Sequence, residues 1–233
     1  MSTISNQLQV IRLRIKDACA AAGRSEADVS LLAVSKTHGP ERVSEAFFAG
    51  QTAFGESYLQ EALKKMAPLR QLPLQWHCIG PIQSNKTRQV AENFDWVHTV
   101  DRLKIAQRLS QQRPENLPPL QVCIQVNVDG GPNKSGVAPQ EALDLAQALA
   151  QLPGLQLRGL MSIPEPTSDF QRQLQLHGQA RQLFDQLRGM TWPASVRFDT
   201  LSMGMSDDLE AAIQAGSTLI RVGTAIFGAR PVA

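Results

Sequence analysis

Apolar positions along this chain alternate between two rhythms. Leu8, Ile11 and Ile15 fall at helical spacing, and Gly23 closes that opening helix. The apolar run Leu31-Leu32-Ala33-Val34-Ser35-Lys36 then reads as a first strand, ending on a lysine before the turn signal His38-Gly39-Pro40. The same order of short apolar run, turn and helical stretch repeats to the far end. Further strands are predicted over residues 52–56, 75–80, 96–100, 120–127, 157–163, 198–203 and 217–227. Helices are predicted between them. One runs from Pro40 to Gly50, and the next follows Ser57 and Gln60 at capping-box spacing. Others pass through Ser84-Asn85-Lys86, follow Asp101 as a cap, and open at Pro139. The last two run from Ser168 and Gln171 to about Gly189, and from Asp207 and Glu210 to Gly216.

Strands alternating with helices over short connections imply a parallel sheet with crossover helices. Eight such units in about 200 residues suit a closed (β/α)8 TIM barrel, here with an extra N-terminal helix. The rival, a doubly wound open sheet, places a glycine fingerprint after its first strand. Lys36-Thr37-His38-Gly39-Pro40 is no such fingerprint. The Pro-rich stretches at Pro118-Pro119 and Pro164–Pro166 are short enough to be loops. One domain over residues 1–233 is therefore expected.

Composition narrows the function. The net charge of +2 comes from scattered basic residues, which is not the clustered footprint of a nucleic-acid binder. Cys19, Cys78 and Cys123 form neither a metal spacing nor a disulfide framework, and a reducing cytoplasm fits them. No run reaches membrane-spanning length, and Arg12, Arg14 and Lys16 break up the first helix where a secretory signal would be apolar.

In the barrel reading, chemistry belongs at the C-terminal ends of the strands, and phosphate after the last two. An amine at a strand end beside a cleft can be desolvated into a nucleophile, which singles out Lys36. Strand seven ends on Ser202 and Gly204, and strand eight on Gly223 and Thr224. These offer backbone N–H groups and hydroxyls to an anion. Asp207 and Asp208 would repel an anion from the helix that follows, so the phosphate is expected on the Ser202–Gly204 backbone. Arg221 interrupts an apolar strand and, being permanently charged, needs an acceptor there: a core carboxylate or a ligand. Together, lysine, anion cup and arginine describe a pyridoxal phosphate (PLP) site.

Long stretches of the chain resemble the pyridoxal phosphate homeostasis protein family (YggS and PROSC): AVSKT around Lys36, FGESYLQE from Phe54, WHCIGPIQSNK from Trp76, LSMGMSDDLEAAI from Leu201 and GSTLIRVGTAIFGAR from Gly216. The resemblance implies a barrel like the N-terminal domain of alanine racemase, with PLP held as a Schiff base on Lys36. It implies that Ser202, Gly204, Gly223 and Thr224 hold the phosphate and that Arg221 meets the pyridine nitrogen. The chain has Ser57 where the family usually has Asn, and Lys134 matches a family lysine but reads as a solvated loop residue.

The resemblance implies a carrier or buffer of the cofactor, with no catalytic residue, no metal and apo-PLP enzymes as recipients. A cytoplasmic monomer is expected. Opposite an arginine the ring nitrogen stays neutral, and the electron sink is weak. The alternative is a small amino-acid racemase. It would need a second base besides Lys36, for which His38, His77 and His98 are candidates near strand ends, and the sole tyrosine, Tyr58, reads as a packing residue. Alanine racemase takes that base from a further C-terminal domain, for which no room is expected after strand eight. A third reading is a Schiff-base aldolase acting on a sugar phosphate.

Overall fold

A computed structural model describes residues 3–131 and 134–229. Eight strands are present among them: β1 (Ser30–Val34), β2 (Ala53–Glu56), β3 (Gln75–Cys78), β4 (Trp96–Val100), β5 (Leu120–Val126), β6 (Leu155–Ser162), β7 (Thr200–Ser202) and β8 (Leu219–Val222). Each pairs in parallel with the next, and β8 returns to β1 through registers such as Leu32↔Arg221, closing the barrel. The helices are α1 (Ile4–Ala21), α2 (Pro40–Phe48), α3 (Leu59–Met66), α4 (Thr87–Asn93), α5 (Leu103–Gln112), α6 (Ala142–Ala150), α7 (Phe170–Arg188), α8 (Leu209–Gln214) and the single turn α9 (Thr224–Phe227). The expected barrel with its extra N-terminal helix is the observed fold. That helix, α1, buries Leu8, Ile11 and Ile15 and lies against α2, α8 and α9.

Side chains alternate across each strand, so every strand feeds two cores. Val97, Val122, Ile124, Leu160, Leu201, Ile220 and Val222 face outward into one large apolar cluster with the helices. Trp96, Cys123 and Met161 form a small separate cluster. The interior around it is polar: His77, His98, Ser202 and Arg221 are all buried. A bond from His98 on β4 to Ser202 on β7 joins strands that are not neighbours, so it crosses the lumen.

Several predicted details differ. The stretch 217–227 is not one strand. The chain leaves strand geometry at Gly223 (φ −116°, ψ −78°) and turns into α9, so Thr224 opens a helical turn. Ser57 and Gln60 do not cap α3; Tyr58 precedes it and no side chain caps it. Asp101 does not cap α5 but accepts from Arg102 Nε at 3.0 Å. Asp169, not Ser168, caps α7, accepting the N–H groups of Gln171 and Arg172. At α7 Ser168 and Asp169 are both favoured capping types, so the residue type alone does not choose between them.

Candidate functional site

Lys36 lies two residues beyond β1 and is half-buried. Both of its flanks are tied down. Ser35 donates its N–H to Gly55 O (3.0 Å) and its hydroxyl to Glu56 Oε1 (2.6 Å). Thr37 takes a left-handed φ of 68° and donates its N–H to Glu61 Oε1 (2.6 Å). Such a backbone costs a threonine on the order of 1–3 kcal/mol and persists only where its surroundings enforce it. Lys65 supplies that enforcement: its Nζ reaches Ser35 O (2.7 Å), Glu56 Oε1 (2.6 Å) and Glu61 Oε1 (3.0 Å). Burial pushes the Glu56 carboxyl up, against the opposing pull of the Lys65 ammonium and the Ser35 hydroxyl.

Arg221 is 4% exposed. Its Nη1 donates to Ser202 Oγ (2.7 Å) and its Nη2 to Ser162 O (3.0 Å). Burial lowers the guanidinium to about 10, so it stays a cation at neutral pH. Among the described residues no carboxylate lies within ion-pair distance of it. A guanidinium carries five N–H donors, and these two bonds use two of them.

Unmet polarity gathers at the same end of the barrel. Among the described residues eight buried side-chain polar atoms lack a partner, and five of these belong to Thr37 after β1, Glu56 ending β2, Asn127 and Asp129 after β5, and Ser162 ending β6. Buried orphans are rare in folded proteins, and each calls for an explanation. A primary amine, a buried cation with donors to spare and an orphaned Ser162 hydroxyl fit an anionic aromatic aldehyde with a ring acceptor. A cavity of about 1000 Å³ opens at the opposite mouth, among strand beginnings such as Ser30, Ala53, Gln75 and Thr200. In this fold that mouth serves stability rather than chemistry.

The structure groups the other predicted residues as follows. Gly204 has a φ of +91°, and a Cβ there would run into Ala212 Cβ. Its carbonyl accepts the Arg221 N–H at 3.0 Å, which ties the end of β7 to the arginine strand. Gly223 packs on the end of β1, where a Cβ would sit 3.1 Å from Val34 O. The Ser202 hydroxyl points into the lumen between Arg221 and His98. Asp208 does not stand free at the start of α8: its carboxylate takes the Met205 N–H and His177 Nε2 (3.0 Å). Burial raises that carboxyl, but these two bonds together with the nearby charges of His177 and Arg221 outweigh it, and the net direction is down. Asp207 is exposed.

Neither His77 nor His98 stands at the C-terminal mouth; they are 2% and 0% exposed inside the barrel. Burial lowers His77 to about 3, and burial with His77 and Arg221 nearby holds His98 well below 6.5. His38 stacks on Phe227, with ring centroids 5.3 Å apart. Tyr58 is 52% exposed rather than packed. Lys134 is not a solvated lysine: its Nζ pairs with Asp129 Oδ2 (2.6 Å) and Glu165 Oε2 (3.1 Å). Ser57 lines a cavity of about 530 Å³ with Glu56, Tyr58, Cys78, Gly80 and Lys86.

The family described as alanine racemase, N-terminal domain, matches residues 7–231. A pyridoxal phosphate homeostasis protein of Pseudomonas aeruginosa is 58% identical over 230 residues, covering 99% of this chain and 97% of its own. Its counterpart in Escherichia coli K12 is 51% identical, covering 99% of this chain and 98% of its own. This chain belongs to the pyridoxal phosphate homeostasis protein family. PipY of Synechococcus elongatus, solved with PLP bound, superposes on this family member with a TM-score of 0.80 at 38% identity, covering 92% of this chain and all of that one. Alanine racemase of Clostridium difficile shares the fold, with a TM-score of 0.72 at 16% identity. This chain spans 56% of that longer protein.

Sequence reasoning passed over Glu56, Lys65 and Ser162. Lys65 carries no signal, because a lysine on an amphipathic helix reads as solvated. Glu56 ends a four-residue strand, and its polarity at a buried position could have flagged it.

Proposed function

We propose that this protein binds PLP reversibly on Lys36 and carries or buffers it, rather than using it to turn over a substrate. PLP supplies an aldehyde that condenses with primary amines, water leaving, and a pyridine nitrogen that accepts a hydrogen bond. Lys36 supplies the amine. Its orientation depends on the Lys65–Glu56–Glu61 cluster, which pins Ser35 and Thr37 on either side. Arg221 donates to the ring nitrogen. The backbone at Gly204, Gly223 and Thr224 receives the phosphate. The Ser202 hydroxyl, engaged inside the lumen, serves Arg221 and leaves only its backbone for the anion. The single observation that carries this reading is Arg221: a buried cation with no described carboxylate within ion-pair distance and donors left over.

A racemase moves protons on both faces of its cofactor. Two of the three histidines considered for the second face are sealed inside the barrel, and the third is stacked on Phe227. That favours a carrier. Sequestration has a chemical rationale, since a free aldehyde reacts with cellular amines and thiols, and apo-PLP enzymes are the natural recipients.

The test is borohydride reduction of the PLP-loaded protein followed by peptide mapping. The label is expected on Lys36, with loss of the visible band in Lys36→Ala. A label on another lysine overturns the assignment. A loaded protein that racemises an amino acid at an enzyme's rate overturns the carrier role.

A further inference from the structure

Four short contacts run through the barrel lumen. Arg221 Nη1 meets Ser202 Oγ at 2.7 Å, Ser202 Oγ meets His98 Nδ1 at 2.9 Å, His98 Nε2 meets His77 Nδ1 at 2.9 Å, and His77 Nε2 meets Gln75 Oε1 at 2.9 Å. Ser202, His98, His77 and Arg221 are all at most 4% exposed. The chain passes from β8 to β7, across the lumen to β4, then to β3, and ends at the opposite mouth, where Gln75 is exposed.

Hydrogen counting gives this chain a direction. The Gln75 carbonyl oxygen only accepts, so His77 carries its hydrogen on Nε2. A neutral ring has one hydrogen, so His77 Nδ1 accepts from His98 Nε2–H. His98 Nδ1 is then bare and accepts the Ser202 hydroxyl hydrogen. Ser202 is left with a lone pair facing Arg221 Nη1. Every hydrogen has an acceptor. In the reverse sense, or with either ring doubly protonated, the Ser202 hydrogen has no acceptor among the described contacts at a fully buried position, which is costly.

We propose that His98 and His77 are positioning residues: acting through Ser202, they hold the Arg221 guanidinium in the one orientation that presents its remaining N–H groups to the cofactor's ring nitrogen. This deepens the PLP reading above and rests on it. An unanchored guanidinium has five donors and several rotamers, and the fixed lone pair of Ser202 with the carbonyl of Ser162 leaves it one plane. Oriented hydrogen-bond chains in a low-dielectric interior strengthen one another.

The relay is tested first without cofactor. In protein labelled with 15N-histidine, long-range proton–nitrogen spectra at pH 7.5 are expected to show His77 and His98 as neutral rings protonated on Nε2, with His98 Nδ1 moving toward the value of an unbonded nitrogen in Ser202→Ala. An Nδ1–H tautomer or an imidazolium at either residue overturns the proposal. The second arm uses PLP-loaded protein. His98→Leu is expected to shift the visible band and to speed PLP release about tenfold, the loss of one charge-assisted bond's worth of order. His98→Asn, whose side-chain oxygen still accepts from Ser202, is expected to restore most of both. Borohydride labelling of Lys36 in each variant separates the outcomes. Label retained with band and release unchanged in His98→Leu overturns the relay alone, and label absent from the wild-type protein overturns the PLP reading.

Discussion

Lys65 Nζ lies 2.6 Å from Glu56 Oε1, with the two side chains 2% and 0% exposed. This buried pair is the post to which the Lys36 turn is tied, through Ser35 on one side and Glu61 to Thr37 on the other. Removing one member of a buried pair strands the other charge, which costs about 3–5 kcal/mol, whereas removing both relieves most of that penalty. Lys65→Met is therefore expected to lower stability by that amount in urea denaturation. Glu56→Gln combined with Lys65→Met is expected to recover more than half of it.

The neutral histidines make stability depend on pH. His77 falls from an ordinary 6.5 to about 3 in the fold, and His98 is lowered in the same direction. Below 6.5 the unfolded chain takes up protons that the folded one refuses, so stability is full above that value and falls as pH drops toward about 3. Glu56, raised by burial, titrates with the opposite sign, so comparison with a variant isolates the effect. Between pH 6 and pH 4, His77→Gln is expected to flatten the stability slope by up to about 1.4 kcal/mol per pH unit, measured by urea titrations at each pH.

Gly204 combines a left-handed φ of +91° with no room for a Cβ beside Ala212. Gly204→Ala adds backbone strain to overpacking, together about 2–6 kcal/mol. A lowered thermal midpoint is expected, with weaker PLP retention because the carbonyl of Gly204 anchors the Arg221 strand at 3.0 Å.

The three thiols are sealed. Cys19, Cys78 and Cys123 are 1%, 6% and 0% exposed, and burial pushes Cys78 and Cys123 up to about 12. Only thiolates attack disulfide reagents at useful rates. No thiol of the native protein is expected to react with Ellman's reagent at pH 8, and three are expected to react in strong denaturant.

The barrel was legible in the chain because its cause is local: apolar runs of strand length alternate with helical periodicity, and Pro40, Gly50 and Gly216 punctuate them. Lys36, Gly204, Arg221 and Gly223 stood out as candidates for a related reason. Each is the wrong residue for its local setting, a charge or a glycine where an apolar strand should continue. Tertiary structure decided what those residues touch. Nothing in the spacing says that Lys65, one lysine among several on amphipathic helices, is drawn inside by Glu56, or that His98 meets Ser202 across a lumen that exists only once β8 closes on β1. Patterns along a chain record each residue's own preference for water. Which polar groups pair once water is gone depends on distances between strands far apart in sequence, and only the closed barrel sets those.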